Sequence, residues 1–280
     1  MRYECYFCHI KTIEKLIQKF KPDAGQAEKF LYAFHELLHE NWDKSNPYLA
    51  GDIHRIARKH LNHSNLYQKE KSHANELLLN QYSYWKKVVH ESNNPFYTAA
   101  KLSVVGNIID YGAHSTKSDL SVQIHDCFQK ELKINQTKDL QDKVRNAGNI
   151  LFLGDNAGEI VFDKLFIEIM NHPNVIYAVR GKPVINDVTI KDAEQVGMDS
   201  LCKIISNGFD APSTLLAFSS NEFVSAFNDA DLIISKGQGN FEGLMDGKHP
   251  NIFFMLMAKC VPMAELLHVN KGDMVVMEGN

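Results

Sequence analysis

The chain has 280 residues, 44% of them hydrophobic and 23% charged, a globular composition that can bury a core and excludes disordered or collagen-like chains. A net charge of −4 supplies no broad basic field, which argues against nucleic acid or an anionic membrane as the main partner. Five cysteines, an odd number spread through a long chain, fit reduced thiols better than a disulfide framework.

The start, Met1-Arg2-Tyr3-Glu4-Cys5, lacks the apolar stretch of roughly 7–15 residues that a signal peptide needs, and no window reaches the about 18 apolar residues of a membrane span. A cytoplasmic protein is expected. From Lys11 to Arg145 apolar residues recur at helical spacing, as in Phe30, Leu31, Phe34, Leu37 and Leu38, and β-branched runs are scarce. The spacing predicts helices over residues 11–20, 24–42, 50–60, 66–90, 94–111, 118–131 and 137–146, broken at Lys21-Pro22, Asn46-Pro47 and Asn93-Asn94-Pro95.

After Gly148 the pattern changes to short apolar runs separated by helical segments: Ile150–Leu153, Val175–Val179, Lys203–Ile205, Leu232–Ser235, Ile252–Leu256 and Met274–Met277. Such βαβ alternation predicts an α/β half with a mostly parallel sheet and ligands at the carboxyl ends of its strands. The expected organisation is therefore an all-helical domain over residues 1–147, capping an α/β catalytic domain over residues 148–280.

The strand ending at Leu153 runs into Gly154-Asp155-Asn156-Ala157-Gly158-Glu159, and the next ends in Arg180-Gly181-Lys182-Pro183 before Asn186-Asp187-Val188-Thr189. Asp155, Asn156 and Asp187 thus fall on neighbouring strand edges. Two carboxylates and an amide oxygen make a hard-oxygen site suited to Mg²⁺ or Mn²⁺. The competing reading is that the same residues are helix caps, a common use of Asp and Asn at βα loops. The fourth strand ends in Lys236-Gly237-Gln238-Gly239-Asn240-Phe241-Glu242, a Gly-containing loop whose backbone N–H groups and Lys236 ammonium can hold a phosphate. A plain tight turn is the alternative there.

Taken in order, these three strings resemble the metal-dependent damage-control phosphatases, the family first catalogued as domain of unknown function 89. Glu4-Cys5-Tyr6-Phe7-Cys8, Asn94-Pro95 and Gly106-Asn107-Ile108-Ile109-Asp110 extend the likeness over nearly the whole chain, and the Cys-x-x-Cys start resembles its short microbial branch. The resemblance implies a helical region on a three-layer α/β/α domain and hydrolysis of phosphorylated metabolites with a divalent metal, Co²⁺ or Ni²⁺ being alternatives to Mg²⁺ or Mn²⁺. It carries the family's metal ligands onto Asp155, Asn156 and Asp187. Expected catalytic residues are Asp155, Asp187 and Lys236; expected substrate contacts are Arg180, Lys236, Asn240 and Glu159. The partner expected is a small phosphorylated metabolite. The same carboxylates serve direct attack by water or a phosphoaspartate intermediate. A binding protein that holds such a metabolite without turnover would use the same loops.

His35-Glu36-Leu37-Leu38-His39 matches the zincin pattern His-Glu-x-x-His, in which i and i+4 imidazoles share a helix face and bind Zn²⁺. No third ligand follows on a defined scaffold, so the expected role is an amphipathic helix with both histidines near the surface. Cys5 and Cys8, with His9 beside them, have no second Cys-x-x-Cys to complete a Zn²⁺ site and read first as packed thiols.

Overall fold

The computed structural model describes residues 2–109, 120–247, 249 and 251–279. Asp110 and the inner ends of the helices expected over residues 94–111 and 118–131 lie outside these. The first half is helical: α1 Tyr3–Phe20, α2 Ala24–Glu40, α3 Asn46–His60, α4 Gln68–His90, α5 Pro95–Val105, α6 Leu120–Phe128 and α7 Thr137–Asn146. Pro47 and Pro95 stand in the first turns of α3 and α5, where proline's missing N–H costs nothing. Helix α1 begins at Tyr3 rather than near residue 11, because Tyr6, Ile10, Ile13 and Ile17 continue one apolar stripe against α2 and α3. No helix among the described residues is long and apolar enough to cross a membrane.

The second half carries β2 Ile150–Leu153, α8 Glu159–Met170, β3 Val175–Val179, α9 Ile190–Gln195, β4 Lys203–Ser206, α10 Asn221–Asp229, β5 Leu232–Lys236, α11 Gly237–Leu244, β6 Ile252–Met257, α12 Val261–Leu266 and β7 Met274–Glu278. With the two-residue β1, Ile134–Asn135, these strands form one sheet in the order β1-β7-β6-β5-β2-β3-β4. Every pairing is parallel except β6 with β7. The edge strand β1 is too short to leave a periodic signal.

Alternation along the strands sorts the core into two layers. Ile150 and Phe152 face α4, α5, α7 and α8, whereas Leu151 and Leu153 face α10, α11 and α12. Both faces are covered, so the strands read as nearly unbroken apolar runs. The packing does not part at residue 147, although the sequence pattern changes there. Helices α4 to α7 form one outer layer of the three-layer sandwich, and only α1 to α3 keep a separate core, built on Phe30, Phe34, Leu49 and Ile53.

Strand β2 pairs with β3 on one side and with β5 on the other. The chain leaves β2 in one direction and later returns to continue in the opposite one, which opens a crevice at the carboxyl ends of β2 and β5.

Candidate active site

Asp155 and Asn156 follow β2 after Gly154, and Asp187 lies in the loop between β3 and α9. A backbone bridge pairs Asn156 with Asp187, and the Val188 N–H donates to the Asp155 carbonyl at 2.8 Å. The two loops are therefore stitched side by side, and the three polar side chains line one cavity of about 150 Å³. Its opposite wall comes from α1 and α3, through Cys8, His9, Asn46 and His54.

None of the three acts as a side-chain helix cap. The N-cap of α8 is Gly158, and α9 is closed by a capping box between Thr189 and Asp192. Their conformations are held by other side chains instead. Asn107 Nδ2 donates to Asp155 Oδ2 at 2.8 Å and to Glu159 Oε2 at 3.0 Å. Asn156 Nδ2 donates to the same two carboxylates at 2.7 and 3.0 Å, which leaves Oδ1 as the group Asn156 can offer a ligand. Arg180 Nε donates to Asp187 Oδ2 at 2.7 Å.

Four carboxylates of this network, Asp155, Glu159, Asp163 and Asp187, are buried with two cations, Arg180 and Lys236. If all are ionised, the difference is two negative charges in a region of low dielectric, which is costly without a counter-charge. The strain shows at Asp155, whose carboxyl is pushed up to about 8 by burial and then by Glu159 and Asp187. Asp187 is also raised, burial outweighing its pair with Arg180. Two carboxylates, an amide oxygen and a deficit of positive charge fit a hard divalent cation. Among the described residues no three His, Cys, Asp or Glu side chains are grouped to hold a metal ion, and this site reaches three donors only through the amide oxygen of Asn156.

The other predicted residues lie behind the cavity wall. Lys236 was expected at the mouth of a loop, but alternation along β5 puts it on the same face as Ile234, towards α5 and α8. There its Nζ donates to Glu159 Oε1 at 2.6 Å, Asp163 Oδ1 at 2.5 Å and the Ser103 carbonyl at 3.0 Å. The loop itself is the first turn of α11. Gly237, at φ +79°, turns strand into helix without a linker, and a Cβ there would collide with the buried Asp155 carboxylate, so no other residue fits. Asn240 Nδ2 donates to the Lys236 carbonyl at 2.8 Å and the Gly154 carbonyl at 3.2 Å, tying the ends of β5 and β2 together. Arg180 comes nearer to the ligand side: its Nη2 lies 3.7 Å from Asp155 Oδ1 and makes no hydrogen bond within the protein.

Lys259, two residues beyond β6, was not singled out by sequence. It lines the cavity and favours the ionised forms of Asp155 and Asp187. Its place at a strand's carboxyl edge was the available signal. Asn107 stood inside a quoted string without a role, His9 was named only beside Cys5 and Cys8, and His54 gave no local sign, because only tertiary packing brings α1 and α3 over the sheet edge.

His35, Glu36 and His39 are exposed on α2, with Phe34 and Leu38 buried. Replacing both histidines by Gln is expected to leave catalysis within about twofold of the parent, as for surface changes away from a site. Loss of activity in the folded double variant, or Zn²⁺-dependent peptidase activity in the parent, would contradict this.

A family model described as the damage-control phosphatase ARMT1-like domain matches residues 1–275. A protein named damage-control phosphatase from Pyrococcus horikoshii is 32% identical over 282 residues, covering 99% of this chain and 97% of the relative. One of the same name from Archaeoglobus fulgidus is 36% identical over 249 residues, covering 86% and 85%. A crystal structure of a DUF89 family protein from Pyrococcus horikoshii superposes with a TM-score of 0.91 at 30% identity, covering 100% of this chain and 99% of that one.

Proposed function

Because the chain belongs to the damage-control phosphatase ARMT1-like family, we propose that it is a metal-dependent phosphatase acting on phosphomonoesters of small metabolites, such as sugar phosphates or damaged phosphorylated cofactors. Asp155, Asn156 and Asp187 would hold the ion, Mg²⁺ or Mn²⁺ with Co²⁺ or Ni²⁺ as substitutes. One observation supports this above the rest: the Asn156–Asp187 bridge sets two carboxylates and an amide oxygen side by side in a single cavity.

When bound, such a cation draws charge from a phosphate oxygen and offsets the charge that develops in the transition state. The chain's own groups supply the rest. Asn107 and Arg180 fix the orientation of Asp155 and Asp187. Lys259, on the cavity wall, places an ammonium where an anionic substrate enters. Gln238 and Gly239, also on the wall, lie in the first turn of α11, whose N–H groups have no partner within the helix and suit a phosphate.

Phosphate release from p-nitrophenyl phosphate should be absent after chelation and return with Mn²⁺, Mg²⁺, Co²⁺ or Ni²⁺. Binding of phosphorylated ligands with no release under any metal would favour the non-catalytic binding protein instead. Lys259→Met should lower kcat/KM by roughly 10–100-fold, mainly through KM, as expected for one charge-assisted contact to phosphate. An unchanged KM would remove Lys259 from the substrate site.

A further inference from the structure

Among the described residues, five other than glycine have a positive φ: Lys21, Asn62, Asn171, Ile185 and His268. Lys21 and Asn171 are the C-caps of α1 and α8, and Asn62 and His268 follow the C-caps of α3 and α12, where a left-handed residue is a common way to end a helix. Ile185, at φ +41°, ends no helix and is β-branched, a side-chain type for which this conformation is a true outlier. It stands at the first central position of a turn that the Asp187 N–H closes onto the Val184 carbonyl at 3.1 Å, a place that Gly, Asn or Asp usually fills when φ is positive. The turn then delivers Asn186, whose carbonyl accepts from the Ala157 N–H at 2.8 Å, and Asp187 itself, bridged to Asn156.

What holds Ile185 in that conformation comes from the other half of the chain. Its side chain packs on the α1–α3 core, and every other described member of that cluster lies between Tyr6 and Tyr67. Arg58, on α3, donates from Nη1 to the Pro183 carbonyl at 2.5 Å and from Nη2 to Asp210 Oδ2 at 2.6 Å, which grips the same loop two residues upstream. A backbone in a sparsely populated conformation persists only where its surroundings over-determine it, and such positions cluster at functional sites. Resting on the metal-site reading above, we propose that Ile185 is a positioning residue: docking of α1–α3 on its side chain holds the turn in its left-handed form and so keeps Asp187 beside Asn156 for the metal. Coupling of this kind is reciprocal. The bound ion therefore also holds α1–α3 onto the sheet edge.

Mn²⁺ binding by the intact protein, read from the electron paramagnetic resonance of the free ion, tests this. Ile185→Ala loses the contact with α1–α3 but keeps a Cβ that disfavours positive φ, and its Mn²⁺ affinity should fall by roughly 10-fold. Ile185→Gly loses the same contact yet adopts positive φ without help, and its affinity should stay within about threefold of the parent's. Simple packing predicts the reverse order, because glycine leaves the larger hole and the looser backbone. Ile185→Gly binding Mn²⁺ no better than Ile185→Ala would overturn the proposal. Saturating Mn²⁺ should also slow amide hydrogen exchange in α2, which carries no proposed ligand, in the parent and in neither variant. Protection confined to the carboxylate loops of the parent, or α2 protection that survives in Ile185→Ala, would show that α1–α3 is not coupled to the metal through this residue. If the parent binds none of the proposed ions, the metal reading fails on its own. Exchange of the Asp187 amide in the metal-free proteins then decides the role of Ile185: faster in Ile185→Ala than in Ile185→Gly if it stands, no faster if it falls.

Discussion

Asp155→Asn is expected to lower metal-dependent phosphate release by at least ~100-fold, the usual scale for losing one preorganised electrostatic contact, while the metal-free protein melts no lower than the parent. The substitution keeps the shape of the side chain and removes one negative charge from a buried site that already contains Glu159 and Asp187. Burial and those two neighbours push the Asp155 carboxyl to about 8, so its ionised form is disfavoured in the fold relative to the unfolded chain. For a raised acid the stability is fullest below the unfolded value and falls as pH rises towards the folded one. The neutral amide should therefore relieve that loss near neutral pH and above, and a calorimetric melt without metal should show it. Metal protection should fall in the same variant: added Mn²⁺ should raise the parent's melting temperature by more than it raises the variant's. A folded Asp155→Asn protein with full metal-dependent turnover would show that this carboxylate is not a ligand.

Legibility in the sequence followed the range of the interactions. The inner strands β2, β5 and β6 announced themselves because both faces of each are covered, so Ile150–Leu153 and its counterparts form short apolar runs between helical segments. The loops that bring Asp155, Asn156 and Asp187 together were legible for the same reason, since a residue just beyond a parallel strand lies at one edge of the sheet. What stayed hidden depended on direction and on distant partners. Lys236 is one residue inside β5, and strand alternation decides whether its ammonium faces substrate or the helices below; the motif Lys-Gly-Gln-Gly is silent on that. His9 and His54 lie 45 residues apart on α1 and α3, and only the docking of those helices over the sheet edge makes them neighbours of Asp155. The zincin match erred in the opposite sense: His35 and His39 share a helix face as i and i+4 must, yet that face meets no third ligand among the described residues.

Lys236→Met is expected to destabilise the protein by about 3–5 kcal/mol, the cost of breaking a buried ion pair by removing one partner, and so to act on the fold before it acts on the substrate. The side chain is fully buried, with its three donors committed to Glu159, Asp163 and the Ser103 carbonyl. Methionine fills the volume but leaves two carboxylates without their cation. Tyr177 donates to Asp163 Oδ2 at 2.9 Å and Ser103 Oγ to Oδ1 at 2.6 Å, yet neither supplies charge. The Asp163 carboxyl is already raised, burial exceeding the pull of Lys236, and losing the ammonium raises it further. A more strongly raised acid takes more stability away as pH rises above its unfolded value. The variant's deficit in urea unfolding should therefore be larger at about pH 8 than at about pH 5.5. Any fall in turnover at a temperature where the variant remains folded should come through metal affinity, because Glu159 also accepts from Asn156 and Asn107 and helps to orient them. A phosphate-binding lysine would behave in the opposite way: stability close to the parent's at both pH values, with metal affinity intact and KM sharply increased. That outcome would return Lys236 to the substrate side of the wall.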